Sequence, residues 1–408
     1  MGVREALDIP SRQHVSAASF EIMSNLNQQI QADRLQAADS VTIGAHSIIK
    51  AREVKLGSNV RIADNVEIIC DRLELGEGCS IGAGSVVLCP EIVFEKECSI
   101  GKSLQVELND YLHLGRHSVL GNRVSLAGRG VKSGEFLWMK NDVVVGGGGA
   151  QGLRSYLEIG ARNTIVDRCF INLAEGVMIG ENTALSYNVV LLTHGAWQPV
   201  LLGFPAKFAP VRIGNYCVVY LNSVVLPGVT IGDYSTIGAC SVVVRDVPAH
   251  SLAAGNPARI VKGNPDYPTG LDRGKIDWLI GSILSDYVAT LEPKGVRVAQ
   301  NRLAAEQYMT LVLGGQQHTI GYSTEARLSK FPGKPDITLA YGEQTGKFRG
   351  KCHFNLCKEV ITGELTDIGE DLRDYLRRRG IRLFTGSSFR GLPLANLKRL
   401  KEQRDAHD

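Results

Sequence analysis

An aliphatic residue followed by a small residue recurs along the chain from about residue 41. In the most regular stretch the aliphatic residue returns every six positions, at Ile213, Val219, Val225, Ile231 and Ile237. The same pair stands earlier at Ile43-Gly44, Leu56-Gly57, Ile62-Ala63, Leu75-Gly76 and Ile81-Gly82. A period of six differs from the two-residue alternation of an ordinary half-buried strand. It predicts hexads, each a short strand and a turn, with three hexads forming one triangular coil of about 18 residues.

The composition agrees with stacked coils that turn at tight corners built from small residues. The chain has 408 residues, of which 45 are glycine, and aromatic residues make up only 6%. Glycine suits corners that need unusual backbone angles or a close approach of two coils, and large rings do not fit a narrow aliphatic column. A net charge of +3 with 21% charged residues is too balanced for a disordered chain.

Several classes of protein are disfavoured by what the chain lacks. It has no run of about 18 apolar residues, so we expect no transmembrane span. The start, MGVREALDIPSRQH, lacks the apolar centre of a secretory signal. The nine cysteines are scattered without a CxxC pair, which argues against a disulfide framework or a zinc site. These features predict a cytoplasmic protein with reduced thiols and no bound metal.

The hexad pattern resembles that of the hexapeptide-repeat acyltransferases over roughly residues 41–265. This resemblance implies a mainly β protein whose fold is a left-handed parallel β-helix. The left hand is implied by the resemblance alone, because it departs from the usual right-handed crossover. Members of the family are trimers with the site between neighbouring β-helices, so the resemblance also implies a homotrimer.

The repeat region is predicted to span residues 41–268, behind an N-terminal helical cap over residues 1–40. Residues 12–38 place Val15, Ile22, Leu26 and Ile30 at near-helical spacing, which predicts an amphipathic helix that covers the first coil.

Two segments interrupt the hexads, an insertion at about 128–157 and a loop excursion at 195–210. The insertion contains GGGGAQG, but no GK[ST] follows, so we interpret it as a looped-out segment rather than a phosphate loop.

Residues 269–408 do not follow the hexad pattern and are predicted to form a separate α+β domain of unknown role. Pro265, Pro268 and Gly270 mark the exit from the repeat. The elements predicted after it are a helix over 276–288, a helix over 303–313, a hairpin of KFRGKCHFNL and EVITGEL, a helix that starts near Asp367, and a strand IRLF. We hypothesise that this extra domain binds or positions a large acceptor.

The end of this domain, from Arg373 to Arg404, is strongly basic. A solvated helix face is the plain interpretation, and a surface for a polyanion is the alternative. Nucleic-acid binding is disfavoured, because Tyr375, Phe384 and Phe389 are too few and too irregular for a stacking surface.

The segment FINLAEGVMIGENTALSYNVVLLTHGAWQPV carries the clearest functional signal. It resembles the sugar O-acetyltransferase branch of the family, which includes maltose and galactoside acetyltransferases. Thr193-His194 precedes the excursion, and regularity returns at Val211-Arg212-Ile213-Gly214. The resemblance implies that His194 is the catalytic base for acetyl transfer from acetyl-CoA to a hydroxyl of a sugar or polysaccharide.

The chemistry of histidine agrees with this role. Its ordinary pKa near 6.5 leaves the neutral imidazole available at pH 7 to take a hydroxyl proton. The excursion contains no Asp or Glu, so the group that orients the imidazole is left open.

A second segment, GDYSTIGACSVVVRDVPAHSLAAGNPARIVKG, resembles the C-terminal coenzyme A signature of the family. The resemblance implies that Ala239 lies along the pantetheine arm and that Arg245, Arg259 and Lys262 lie near the phosphates, where cations are wanted. Tyr220 is bulky where relatives carry a small residue. It is therefore expected to narrow the pantetheine channel or alter donor choice.

Three further sites have two interpretations each. Asn172 is a candidate contact to the acceptor hydroxyl or a member of an internal asparagine ladder. Trp197 stacks on a sugar ring or anchors the packing of its loop. His113 and His117 prompt comparison with the β-helical carbonic anhydrases, but no third zinc ligand is evident.

Two other functions stay open from the sequence. The first is N-acetylation of an amino sugar, which leaves the same marks in the sequence. The second is a non-catalytic β-helix that presents the C-terminal domain to a partner.

Overall fold

A computed structural model describes residues 29–150, 152–302, 308–323, 335–342 and 351–405. The chain divides into two compact units, Met1–Thr269 and Gly270–Asp408. The first unit is a parallel β-helix, and the second is a smaller α+β unit around a six-stranded sheet.

The strands of the first unit are short and follow one another closely. In chain order they are Ile30–Ala37 (β1), Thr42–Ile43 (β2), Ile48–Leu56 (β3), Arg61–Ile62 (β4), Glu67–Ile69 (β5), Arg72–Leu75 (β6), Ser80–Ile81 (β7), Val86–Leu88 (β8), Glu91–Phe94 (β9), Ser99–Ile100 (β10), Gln105–Leu114 (β11), Val119–Leu120 (β12), Ser125–Ser133 (β13), Trp138–Met139 (β14), Val144–Gly146 (β15), Tyr156–Ile159 (β16), Thr164–Ile165 (β17), Phe170–Asn172 (β18), Val177–Ile179 (β19), Ala184–Leu185 (β20), Val190–Leu191 (β21), His194–Gly195 (β22), Lys207–Phe208 (β23), Val211–Ile213 (β24), Val218–Val219 (β25), Val224–Val225 (β26), Thr230–Ile231 (β27), Thr236–Ile237 (β28), Val242–Val243 (β29), Leu252–Gly255 (β30) and Ala258–Lys262 (β31).

Three columns of inward residues build the core of this unit, one for each face of the coil. Face one carries Ile49, Ile68, Val87, Val106, Leu126, Val145, Ile171, Leu191, Val225 and Val243 in parallel register. Face two carries Leu56, Leu75, Phe94, Leu114, Ser133, Ile159, Ile179, Ile213, Ile231 and Val247. Face three carries Ile43, Ile62, Ile81, Ile100, Leu120, Met139, Ile165, Leu185, Val219, Ile237 and Ala253. These columns confirm the prediction of a parallel β-helix, and its left hand stays a prediction.

The coils are longer at the start than at the end of the repeat. Ile43 pairs with Ile62 and Ile62 with Ile81, a step of 19 residues, whereas Val219 pairs with Ile237, a step of 18. The extra residue lies at the corner between faces one and two. There β1, β3, β11 and β13 run on from one face to the next and join the two faces into one 17-stranded sheet.

The other two corners are tight in coil after coil. At each of these corners the third residue after the inward one has a left-handed backbone conformation. Examples after face three are Asn65 (φ 56°), Arg123 (φ 55°) and Cys240 (φ 57°). Examples after face two are His117 (φ 58°) and Tyr216 (φ 54°). Because most of these residues are not glycine, the abundance of glycine has another main cause, the close approach of successive coils. A Cβ on Gly101, for example, would lie 2.6 Å from the backbone of Gly121 in the next coil.

Two predictions about the β-helix differ from the structure. Residues 30–37 form the strand β1 instead of the end of a helix, since Ile30 pairs with Ile49 on the first coil. The rest of the predicted helical cap lies outside the described residues. The insertion is also shorter than 128–157, because β13, β14 and β15 keep the register and only residues 147–155 leave it.

The second unit has three helices among its described residues, Arg273–Ala289 (α1), Asp367–Arg377 (α2) and Ala395–Asp405 (α3). Short 3₁₀ turns lie at Val200–Leu202 in the first unit and Glu292–Lys294 in the second. The sheet takes its strands in chain order, Arg297–Asn301 (β32), Tyr308–Leu313 (β33), Gln316–Ser323 (β34), Ile337–Ala340 (β35), Cys352–Asn355 (β36) and Val360–Gly363 (β37). Pairing is parallel between β34, β35 and β36 and antiparallel elsewhere.

Several predicted elements of this unit are confirmed. These are the helix over 276–288, the hairpin of β36 and β37, and the helix near Asp367, which Thr366 caps by accepting a hydrogen bond from the N–H of Gly369.

Two other predicted elements of this unit, the helix over 303–313 and the strand IRLF, are wrong. Residues 308–313 form the strand β33, which pairs on both sides, and IRLF forms no strand.

The basic tail is partly neutralised by its own helix. Arg373 is fully buried, pairs with Glu370 at 2.8 Å and lies 4.4 Å from the ring centre of Phe389. Asp374 pairs with Arg377 at 2.7 Å and also with Arg378. These contacts disfavour a polyanion site, and the burial of Arg373 also departs from the solvated helix face interpreted from the sequence.

No helix among the described residues has the length and apolar character needed to cross a membrane.

The burial of His353 predicts that the stability of the second unit depends on pH. Burial lowers the pKa of His353 to about 4, from about 6.5 in an unfolded chain. Between those values the unfolded chain binds a proton that the folded chain does not, so stability is full above pH 6.5 and falls as the pH drops towards 4. We expect a loss of roughly 3 kcal/mol across this window, measured by native-state hydrogen exchange of β35 and β36.

The matched variant is His353→Asn, which keeps a polar atom near Thr338, the partner of His353 Nδ1 at 2.9 Å. Its stability should change less steeply over the same window. Equal slopes in the two proteins would contradict the assignment to His353.

Candidate functional site

His194 stands where the chain leaves the β-helix. It follows β21 at the corner between faces one and two and begins β22, which pairs antiparallel with β23 as the base of the excursion. His194 faces Phe208 across this pair, and their rings stack with centroids 5.4 Å apart and planes 18° apart. The hairpin base therefore holds one face of the imidazole.

Asn172 holds the imidazole edge from the preceding coil. Its side chain is buried, with 1% of the residue exposed, and its Oδ1 lies 2.7 Å from Nδ1 of His194. The amide nitrogen Nδ2 donates to the carbonyl oxygens of Gly146 at 3.1 Å and Gly148 at 3.3 Å. The structure thus answers the question of which group orients His194.

These contacts decide the tautomer of His194. The two carbonyl oxygens can only accept, so Nδ2 of Asn172 must face them and Oδ1 must face the imidazole. Because Oδ1 can only accept, Nδ1 of the neutral imidazole carries the proton. Nε2 is therefore the nitrogen with the free lone pair.

A second layer of contacts fixes Asn172 itself. The hydroxyl of Thr193, which is fully buried, donates to Oδ1 of Asn172 at 2.7 Å and accepts from the N–H of Glu175 at 3.1 Å. Glu175 pairs with Arg154 through contacts of 2.5 and 2.6 Å. The hydrogen bonds from Arg154 hold the pKa of Glu175 below its usual range. Arg154 belongs to the loop 147–155, so this ion pair fastens the loop beside the site.

The glycine run of that loop forms a wall of the site. A Cβ on Gly148 would lie 3.7 Å from both Cε1 and Nε2 of His194. Gly147 has φ +82°, and a Cβ there would lie 2.9 Å from the ring of Phe170, so this position requires glycine. The segment interpreted from the sequence as a plain insertion thus brings bare backbone up to the imidazole.

The predicted coenzyme A residues fall into two groups. Val243 lies two coils beyond Leu191 on face one, which puts Arg245 at the same corner as His194, about 10 Å further along the axis. Tyr220, Ala239 and Arg259 lie together around the corner between faces three and one.

Lys262 is opposite Leu252 on the last strand pair. Arg245, Arg259 and Lys262 are all exposed.

The remaining candidates take different places. Asn172 is too deeply buried, and its amide too fully bonded, to serve as the expected acceptor contact; its position is that of a support for His194. Trp197 is 96% exposed in the excursion and does not anchor its packing. Among the described residues no group of three or more His, Cys, Asp or Glu has the arrangement of a metal site.

Sequence reasoning missed Phe208, Thr193 as a support, and the glycine wall. The run GGGG was a visible signal for the wall, since four consecutive glycines permit a close approach of backbone. Phe208 carries no comparable signal, because only the antiparallel pairing of β22 and β23 brings it to His194.

Comparison with known proteins agrees with the repeat. Residues 210–245 match the family model described as bacterial transferase hexapeptide (six repeats). Over 99 residues the chain is 35% identical to galactoside O-acetyltransferase of Escherichia coli (strain K12), covering 24% of this chain and 47% of that protein.

Two solved structures are also similar. A galactoside acetyltransferase in complex with coenzyme A is 31% identical, with 33% of this chain and 65% of that chain covered and a TM-score of 0.24. An Arabidopsis UDP-N-acetylglucosamine acyltransferase is 20% identical, with 57% and 73% covered and a TM-score of 0.38.

The chain spans about half the length of the curated relative that it matches. The match falls on the part of the chain in which three inward columns repeat every six residues. Residues 210–245 of this β-helix are therefore similar to the hexapeptide repeat of the bacterial transferases.

Proposed function

We propose that this chain is an acyl-CoA-dependent O-acyltransferase that transfers an acetyl group from acetyl-CoA to a hydroxyl of a sugar or polysaccharide. The observation that carries the proposal is the fixed tautomer of His194. Asn172 accepts from Nδ1 at 2.7 Å, so Nε2 is left as a base on the side of the glycine wall. A base of this kind at the corner of a coil suits the removal of a hydroxyl proton.

The proposed reaction is a direct transfer with His194 as general base. Nε2 takes the proton of the acceptor hydroxyl while its oxygen attacks the thioester carbonyl carbon. The carbon–sulfur bond then breaks, and the imidazolium returns the proton to the thiolate. Backbone N–H groups stabilise the charge on the carbonyl oxygen. Asn172 Oδ1 stabilises the imidazolium by accepting from Nδ1, as an orienting acceptor does in other histidine bases.

The donor side of the proposal depends on the exposed cations. Arg245, Arg259 and Lys262 are available for the phosphates of coenzyme A, and Arg245 shares the corner of His194. The names of the relatives, a galactoside O-acetyltransferase and a structure solved with coenzyme A, support this choice of donor. By the same resemblance we propose a homotrimer.

The first test is the substitution His194→Ala, measured as thiol release from acetyl-CoA across a panel of sugars and glycans. Loss of the base should lower kcat/KM by about 10²–10⁴-fold on any acceptor that the wild type uses. Cys240 and Cys357 are exposed thiols that react with the same reagent, so each assay needs a blank of protein alone.

His113→Ala is the matched control for that experiment. His113 is also half-buried and also bonded by a side-chain oxygen, with Nε2 3.0 Å from Oε1 of Glu91. It lies on β11, away from the proposed site, and its loss should leave the rate near that of the wild type. Unchanged thiol release in His194→Ala would refute the proposal.

The second test addresses the support of His194 by Asn172. In ¹⁵N-detected spectra of labelled histidine, His194 should show Nδ1 protonated in the wild type, because Asn172 Oδ1 can only accept. In Asn172→Ala this signature should disappear and kcat should fall about 10–100-fold. A wild-type His194 protonated on Nε2 would contradict the assignment, whatever the activity of the variant.

A further inference from the structure

A long groove runs along the corner between faces one and two, on the N-terminal side of the site. Its volume is about 1160 Å³, above the range of about 300–1,000 Å³ that is usual for small-molecule pockets. It is lined by equivalent positions of successive coils, from Ile69–Asp71 through Leu88–Pro90, Glu107–Asn109 and Ala127–Arg129 to the loop at Gly147 and Gly149. These residues come from five successive coils, and four strand spacings make the groove about 19 Å long.

The groove ends at the loop that touches His194. Gly147, Gly149 and Ala150 line its end, while Gly148 between them lies against the imidazole. The register adds a second link. Asp71, Asn109 and His194 each stand three residues after an inward residue of face one, so they occupy the same corner of different coils.

The charges of the groove do not suit the donor. Its lining side chains include two carboxylates, Asp71 and Glu107, and one guanidinium, Arg129. Arg129 is already paired with Asp110 at 2.8 Å, and its Nε donates to the phenol oxygen of Tyr156 at 2.9 Å. Its guanidinium is therefore engaged within the protein. A ligand with several phosphates needs unpaired cations, and those lie beyond His194 at Arg245.

The lining also disfavours a bare hydrocarbon chain. Glu107 and Asn109 stand on the same coil as the apolar Leu108, so an acyl chain would cover a charge without compensating it. Aliphatic side chains such as Ile69 and Leu88, alternating with carboxylate and amide groups, suit a ligand with both C–H and hydroxyl surfaces. The repetition of these positions once per coil suits a ligand that is itself a chain.

We propose that this groove binds an uncharged oligosaccharide or polysaccharide chain and delivers one of its hydroxyl groups to His194. This inference rests on the proposed function for the identity of the reaction, but the binding itself is independent of catalysis. The hydroxyl that reacts lies at the end of the bound stretch nearest the glycine loop, and the rest of the chain extends along the groove away from it.

The experiment measures binding without turnover. His194→Ala protein without acetyl-CoA is titrated calorimetrically with neutral gluco-, galacto- and xylo-oligosaccharides, each series running from the monosaccharide to the hexasaccharide. At least one series should bind more tightly with each added residue until the groove is filled, with a total gain of about tenfold or more. Absence of such a gain in every series overturns the inference. Unchanged thiol release in His194→Ala, together with such a gain in binding, would contradict only the proposed function.

Two matched substitutions locate the binding. Leu88→Trp, at a lining residue that is 38% exposed, should weaken binding of the longest chain about tenfold by filling the groove. Ile48→Trp changes a residue that is 42% exposed on the same face but outside the groove, and it should bind as the parent protein does. Equal effects of the two substitutions would refute the location.

Two further outcomes would assign the groove to another occupant. Weaker binding of acetyl-CoA in Leu88→Trp, measured in the same way, would make the groove a donor site. A change of molar mass by light scattering in Leu88→Trp, but not in Ile48→Trp, would make it an interface with a second copy of the chain. Either result overturns the proposal.

Discussion

Coils that pair at the spacing of neighbouring strands, about 4.8 Å, leave little room for side chains where their backbones meet. The rest of the β-helix depends on this constraint. A Cβ on Gly101 or on Gly121 would lie 2.6 Å from the backbone of the coil that follows it. Glycine at these positions therefore lets the coils approach, and the approach aligns the three aliphatic columns. The scarcity of aromatic residues has the same origin, since Phe94 is a rare ring in a core of Ile, Leu and Val.

The corner between faces one and two is where this constraint is relaxed. The other two corners turn through a left-handed residue such as Asn65 or His117, and this short turn leaves no space for extra chain. At the corner between faces one and two the strands run on or the chain loops out, at 147–155 and again at the excursion after His194. The groove, the glycine wall and the imidazole all lie along this one corner. The position of the candidate site thus follows from the only corner that tolerates insertions among the described coils.

The predictions that were wrong share a physical cause. Residues 30–37 and 308–313 both have sequences that favour a helix when read alone, yet each forms a strand because a partner strand is available. Ile30 pairs with Ile49 on the first coil, and Met309 pairs with Ile320 in the second unit. The run IRLF has strand-forming residues, but it pairs with no strand among the described residues. Pairing across the sheet therefore outweighed local preference in each case.

Spacing in the sequence was enough to determine the parallel β-helix and its approximate length, whereas the choice of His194 as candidate base came from the resemblance of its segment to a known family. These features are local or periodic, and an aliphatic residue every six positions has few other solutions. The support of His194 could be decided only by the tertiary structure. Asn172, Phe208 and Gly148 are far from His194 along the chain, and they meet it because the coil length and two insertions set which residues overlie one another. One extra residue at the corner of one of these coils would change those neighbours without disturbing the inward columns, since coils of 18 and 19 residues share the same columns.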